Sequence, residues 1–224
     1  MEAEDYSKVF EFGVSWSETY QASRVIEKTD YIMHDALEKF GNRFSANIVV
    51  GNEAYGFKPK YASLQNMARS LSGGRLAKHS SRIKLGAEGL RNGTRAIELA
   101  SDIEASAYIL HTPHTQKLLD HARSKKVQSL VYTLCRLSDS KERAARDLLA
   151  IKGSGYFERR RVPKEEIPKR LGDFSVYGTA EDVAREVSEF ISMGASKVVV
   201  YPVFSGTKDL IEQMNILSDK IFEA

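Results

Sequence analysis

The residues best placed to do chemistry lie near the middle of the chain. There Ile83-Lys84-Leu85-Gly86-Ala87-Glu88-Gly89 leads into a helical pattern and then into Ala107-Tyr108-Ile109-Leu110-His111-Thr112. A short apolar strand, a small-residue turn, a helix and a second apolar strand read as a βαβ unit. In such a unit the backbone N–H groups of the first turn can close on an anion at the helix N-terminus, where the helix dipole also favours negative charge. The spacing points to a phosphate-bearing ligand; the alternative is that these glycines only shape the turn from strand to helix.

The titratable candidates are histidines. His34, His111 and His79 fall at or near the C-terminal ends of predicted strands, where the catalytic residues of a barrel collect. His111 reads as a proton donor or a ring contact, or else as a hydrogen-bonded histidine under a loop. His114 and His121 lie on or beside a helix and read as solvated. No pair has the spacing of a zinc site, and neither a G-x-S-x-G elbow nor a phosphate-binding P-loop is present. Cys135, the only cysteine, sits in the apolar run 130–137, which points to buried packing. It excludes an intrachain disulfide and fits a reducing interior. Trp16 and Tyr20 follow the first predicted strand and read as core or helix-start residues.

These residues need elements to position them. Strands are predicted at 10–15, 30–34, 46–51, 83–87, 107–111, 127–137 and 197–202. Helix-period segments at 18–27, 61–71, 92–103, 115–124, 141–150, 181–193 and 208–222 alternate with them. In the helix at 181–193, Val183, Val187, Phe190 and Ile191 recur at helical spacing. Thr179 precedes it as N-cap with Asp182 completing an approximate capping box, and Gly194 ends it. The run Val198-Val199-Val200-Tyr201 lacks polar alternation and reads as a strand covered on both faces. Strands alternating with helices along the chain argue for one α/β domain over residues 1–224. Residues 152–172, rich in Gly, Arg, Lys and Pro and without a clear period, read as a long surface insertion.

Composition bounds the partners. A hydrophobic fraction of 42%, a charged fraction of 28% and a net charge of +3 are ordinary for a soluble domain. The Arg159-Arg160-Arg161 cluster lacks interleaved aromatics and reads as a solvated loop or helix end, so no nucleic-acid partner is expected. No stretch reads as a signal peptide and no apolar run is long enough to span a bilayer, which points to a cytoplasmic protein without a membrane partner. The 224 residues fall slightly short of a full (β/α)8 barrel.

Three stretches resemble the bacterial-luciferase-like superfamily, and within it the deazaflavin-dependent methylenetetrahydromethanopterin reductases. The first is Ser45-Ala46-Asn47-Ile48-Val49-Val50-Gly51, followed by Pro59 and by the helix ending Ser70-Leu71-Ser72-Gly73-Gly74-Arg75. The second is the unit from Ile83 to Thr112, and the third runs from Tyr177-Gly178-Thr179 through Gly194-Ala195 into Val198–Pro202. Together they cover about two-thirds of the chain. The sequence departs from the family after Arg75, where a short polar link, residues 76–82, replaces the family's fourth strand and its insertion. The family's acidic residue on that strand is absent with it. The loop after the second strand is also short, and the family's cofactor-contacting Asp-His pair is matched only by His34 and Asp35 in reversed order.

The resemblance implies a shortened TIM-type (β/α) barrel of seven strands. It implies an oxidoreductase of reductase or monooxygenase type, moving a hydride between deazaflavin coenzyme F420 or FMN and a small organic substrate. It places Gly51 and Asn52 behind the cofactor ring, and Gly86, Ala87, Glu88 and Gly89 against its phosphate or side chain. Thr112 and Pro113 add to that pocket, with the Thr112 hydroxyl as donor, and His34 and His111 are the catalytic candidates. Glu88 must point to solvent to avoid a costly carboxylate–phosphate contact. The alternative is a non-catalytic flavin-binding protein resembling the non-fluorescent flavoproteins, which are shortened in a similar way. The missing strand also predicts a gap between the strands at 46–51 and 83–87, plugged by side chains or covered in a homodimer, unless those two strands pair directly and narrow the barrel.

Overall fold

The computed structural model describes residues 46–50, 78, 81, 83–87, 89–153, 157 and 162–218. The strands expected at 10–15 and 30–34, the helices expected at 18–27 and 61–71, and the site candidates His34, Gly51, Asn52, His79 and Glu88 lie outside the described residues.

Six parallel strands form the described sheet: β1 (Ala46–Val50), β2 (Ile83–Ala87), β3 (Ser106–Leu110), β4 (Ser129–Leu137), β5 (Ser175–Gly178) and β6 (Lys197–Pro202). Among the described residues five helices follow β2 to β6 in alternation: α1 (Leu90–Asp102), α2 (Thr115–Ser124), α3 (Lys141–Lys152), α4 (Ala180–Ser192) and α5 (Thr207–Leu217). This is the wall of a partial TIM-type barrel. The strand order is β1-β2-β3-β4-β5, with β6 on β4.

β4 is the hub of the sheet because its nine residues outrun its neighbours. In a parallel strand the carbonyls of alternate residues point to alternate edges. Those of Gln128 and Tyr132 accept from Ala107 and His111, at the two ends of β3, while those of Ser129 and Cys135 accept from Ser196 and Val203, which flank β6. Ser138 N–H donates to the Gly178 carbonyl, so β5 continues the β3 edge where β3 has ended. The sequence reading missed β5, which is four residues long, too short to show a period of its own.

The gap expected from the missing strand is not there. β1 and β2 pair directly over five residues, from Ala46↔Ile83 to Val50↔Ala87, so their facing edges satisfy each other. The expectation rested on the short link at 76–82. The connection, however, runs through all of residues 51–82, long enough for the crossover a parallel pair requires.

The outer face of the sheet packs on the helices. Ala107, Ile109, Val131, Cys135 and Val176 form one core with Leu118 and Ala122 of α2 and Val183 and Phe190 of α4. Helix α4 forms where its caps dictate: Thr179 accepts from Asp182 N–H, Asp182 accepts from Thr179 N–H, and Gly194 follows at φ +104°.

Two further expectations are corrected. Residues 152–172 are not a surface insertion: Phe157, Val162, Ile167 and Leu171 are all buried, with Leu148 of α3 and Leu134 of β4, in a second core. Short 3-10 turns at Lys164–Lys169 and Leu171–Asp173 carry Ile167 and Leu171. Such turns have no helical or strand period, which is why the sequence hid them. Val198, Val199 and Val200 are half-buried rather than covered on both faces. Val198 and Val200 pack outward on the helix core, while Val199, of opposite parity, faces inward.

Candidate functional site

In a parallel α/β barrel, chemistry collects where the strands end and the helices begin. That rim divides by charge. On one side, α3 has the side chain of Ser140 as its cap and Glu142 in its first turn; α4 has Thr179 with Glu181 and Asp182; α5 has Asp209. These helices thus supply negative charge to their own positive ends. On the other side, neither α1 nor α2 has a side-chain cap or an acidic residue in its first turn, and they carry Arg91 and Lys117 instead.

The β2–α1 turn contains the glycines singled out by the sequence, and the structure separates their roles. A Cβ on Gly86 would run into the backbone carbonyl of Tyr108, so Gly86 lets β2 and β3 approach closely. Gly89 is the N-cap of α1 at φ +78° and ψ 156°, a conformation that favours glycine, and a Cβ there would meet nothing within 4 Å. Among the described residues no side chain caps the first N–H groups of this 13-residue helix. Gly93 lies buried against Leu118, which seats α1 on α2. Ala87 ends β2 and is buried.

At the β3–α2 turn, Thr112 N–H donates to Thr115 Oγ1 at 2.9 Å, and Thr115 Oγ1 returns a bond to the Thr112 carbonyl at 2.8 Å. The Thr112 hydroxyl accepts from His114 N–H at 3.2 Å, and its own proton remains to be donated. Pro113 is exposed at the tip.

His111 also sits at the end of β3, but it shares parity with Ala107 and Ile109 and turns to the helix layer. Its Nδ1 is 2.8 Å from Thr133 Oγ1, and its ring stands edge-on to Phe190 with centroids 4.8 Å apart. Burial pushes the imidazole down to about 4, opposed by the Asp173 carboxylate, so it is neutral at pH 7. Cys135 faces the same layer, and burial pushes its thiol up to about 12.

The inner face carries residues that sequence reasoning did not single out. Tyr108, Tyr132 and Tyr201 form a row across β3, β4 and β6, with ring centroids 5.6 and 5.9 Å apart. Tyr201 is 40% exposed, and Lys152 Nζ of α3 stands 5.7 Å over its ring. The available signal was parity: each tyrosine alternates with outward apolar residues.

Above the end of β4, a cavity of about 530 Å³ lies between the first turns of α3, α4 and α5. Both of its cations are paired with carboxylates: Arg143 with Asp139, and Arg136 with two. Arg136 bonds both carboxylate oxygens of Asp209 at 2.7 and 2.8 Å and Asp147 at 3.1 Å. Buried Gln213 bonds both the N–H and the carbonyl of Leu137, at 2.8 and 3.1 Å.

No protein-family model and no curated protein matches the sequence. Solved structures do match. Apo-MsnO8 superposes with a TM-score of 0.61 at 13% identity, covering 88% of this chain and 73% of that one. An F420-dependent secondary alcohol dehydrogenase, in complex with an F420-acetone adduct, gives 0.61 at 11% identity over 91% and 75%. The coenzyme F420-dependent tetrahydromethanopterin reductase of Methanopyrus kandleri gives 0.55 at 12% identity over 87% and 79%. The fold is the one these solved structures share, a TIM-type (β/α) barrel that this chain shows in part. In it the basic part of the rim is built by α1 and α2, and the acidic part by α3, α4 and α5.

Proposed function

We propose that this chain is an oxidoreductase that binds deazaflavin coenzyme F420 or FMN and exchanges a hydride with a small organic substrate. The fold it shares with F420-dependent enzymes supports the reading. The observation that carries it is the start of α1, which has no side-chain cap and no acidic residue in its first turn, with Gly89 as N-cap and Arg91 beside it. Those residues fit an anionic tail: backbone N–H groups at Gly89, Leu90 and Arg91 would hold the phosphate, and the Thr112 hydroxyl would donate from the adjoining turn. The bound cofactor supplies the ring that accepts or gives the hydride. The protein's part is to fix the tail at α1 and to keep the ring against the inner face of the sheet. Tyr132 and Tyr201 offer apolar surface there, and the second core excludes water from one side.

A second reading, a non-catalytic flavin-binding protein, is favoured by one placement. His111, the described catalytic candidate, is turned to the helix layer and neutral, away from the tyrosine face. Reduction of the bound cofactor by candidate hydride donors separates the two readings: turnover supports the enzyme, and binding without turnover supports the carrier.

The test of the tail site is Arg91→Glu at an exposed position. A carboxylate in the first turn strengthens an empty helix N-terminus by about half a kcal/mol but repels a phosphate. Titration of F420 and FMN by absorbance and fluorescence should show saturable binding that the variant weakens about tenfold, while its melting temperature holds or rises. Binding that the variant leaves unchanged would remove the phosphate from α1, and the absence of binding to either cofactor would refute the proposal.

A further inference from the structure

The turn from β3 into α2 commits its backbone donors within the fold. His111 N–H donates to the Tyr132 carbonyl at 2.8 Å, and Thr112 N–H donates to Thr115 Oγ1 at 2.9 Å. Pro113 has no N–H to give. His114 N–H donates to Thr112 Oγ1 at 3.2 Å, and Thr115 N–H donates to the Thr112 carbonyl at 3.0 Å. Every backbone N–H from His111 to Thr115 is thereby taken. The Thr112 hydroxyl has accepted one bond, which leaves its proton to be given outward. A hydroxyl that already accepts is also polarised as a donor.

Thr115 holds that hydroxyl in place. Its Oγ1 accepts Thr112 N–H and donates to the Thr112 carbonyl at 2.8 Å. One side chain, 4% exposed, thus fixes the peptide groups on both sides of Thr112. We propose that Thr115 is a positioning residue for an anionic ligand: it does not touch the ligand, and it aims the Thr112 hydroxyl at it. It also withdraws Thr112 N–H, so the turn offers a side-chain donor where α1 offers backbone N–H groups. This role rests on the phosphate placement proposed above and gives its second donor a direction.

The test compares ligands with and without the phosphate, FMN against riboflavin and F420 against its phosphate-free chromophore, titrated by fluorescence into the full chain. Thr115→Val keeps the shape of the side chain and removes the hydroxyl. It weakens the phosphate-bearing cofactor about fivefold and leaves the phosphate-free one unchanged, and Thr115→Ser, which keeps the hydroxyl, restores the affinity. Thr112→Val removes the donor itself and weakens the same cofactor about tenfold. The double variant loses no more, because Thr115 acts through Thr112. Thr115→Ala takes the place of Thr115→Val if the latter does not fold. Equal weakening of both ligands of a pair would make Thr115 a structural residue, and additive losses would give it a role apart from Thr112. Either result overturns the inference, as do Thr115 variants that bind as wild type. If Arg91→Glu still weakens binding in those cases, the proposed function stands without it; if wild type binds neither F420 nor FMN, both fall.

Discussion

Replacing His111 with Leu should flatten the acid dependence of stability, with a magnitude set by the burial of the ring. The imidazole titrates at about 4 in the fold against 6.5 for an unperturbed group. As pH falls below 6.5 the unfolded chain takes up a proton that the folded chain excludes, so the stability present above that pH is lost progressively down to 4. At pH 5 the unfolded group lies one and a half units below its midpoint, which corresponds to about 2 kcal/mol; by pH 4 the loss approaches about 3 kcal/mol. The substitution also removes the bond to Thr133, a pH-independent cost of about 1 kcal/mol. Urea unfolding of both proteins at pH 7.5, 6 and 5 separates the two effects. The variant should be the less stable at pH 7.5 and should gain on wild type by about 2 kcal/mol on going to pH 5. Parallel curves would show that His111 ionises freely in the fold and is not packed as described.

Other perturbations test the remaining architecture. Leu148→Ala, in the second core, should cost about 3 kcal/mol by urea unfolding; a cost below 1 kcal/mol would mean that Phe157, Val162, Ile167 and Leu171 do not pack on α3. Gly86→Ala should lower the melting temperature sharply because its Cβ meets the Tyr108 backbone, and a variant as stable as wild type would refute that approach of β2 to β3. Thr179→Ala should cost about 1 kcal/mol through loss of the capping box, read from thermal unfolding; no loss would show that the box contributes nothing. Cys135, buried with its thiol near 12, should react with an aromatic disulfide reagent at pH 8 only as fast as the protein unfolds, and rapid reaction of folded protein would contradict its burial.

The sequence by itself determined what acts over a few residues. Helix α4 was legible from Thr179, Asp182 and Gly194 because caps and turns are local. β2, β6 and α2 were placed at their observed bounds from apolar period and small-residue turns. The burial of Cys135 followed from its apolar run, and the resemblance carried by three motifs led to a fold shared with F420-dependent enzymes of known structure. Tertiary structure decided what depends on distant partners. Whether β1 and β2 leave a gap depends on how two edges 33 residues apart meet, and they pair directly. Whether Phe157 and Leu171 are surface or core depends on Leu134 and Leu148, which the local composition of 152–172 does not contain. His111 lies at the strand end where the sequence offered a proton donor or a hydrogen-bonded histidine, and the choice follows from the parity of β3 and from Phe190 on a helix 79 residues later. Tyr108, Tyr132 and Tyr201 form a row only because three strands stand in one register. A strand's period specifies which residues share a face; only packing decides which face looks into the barrel.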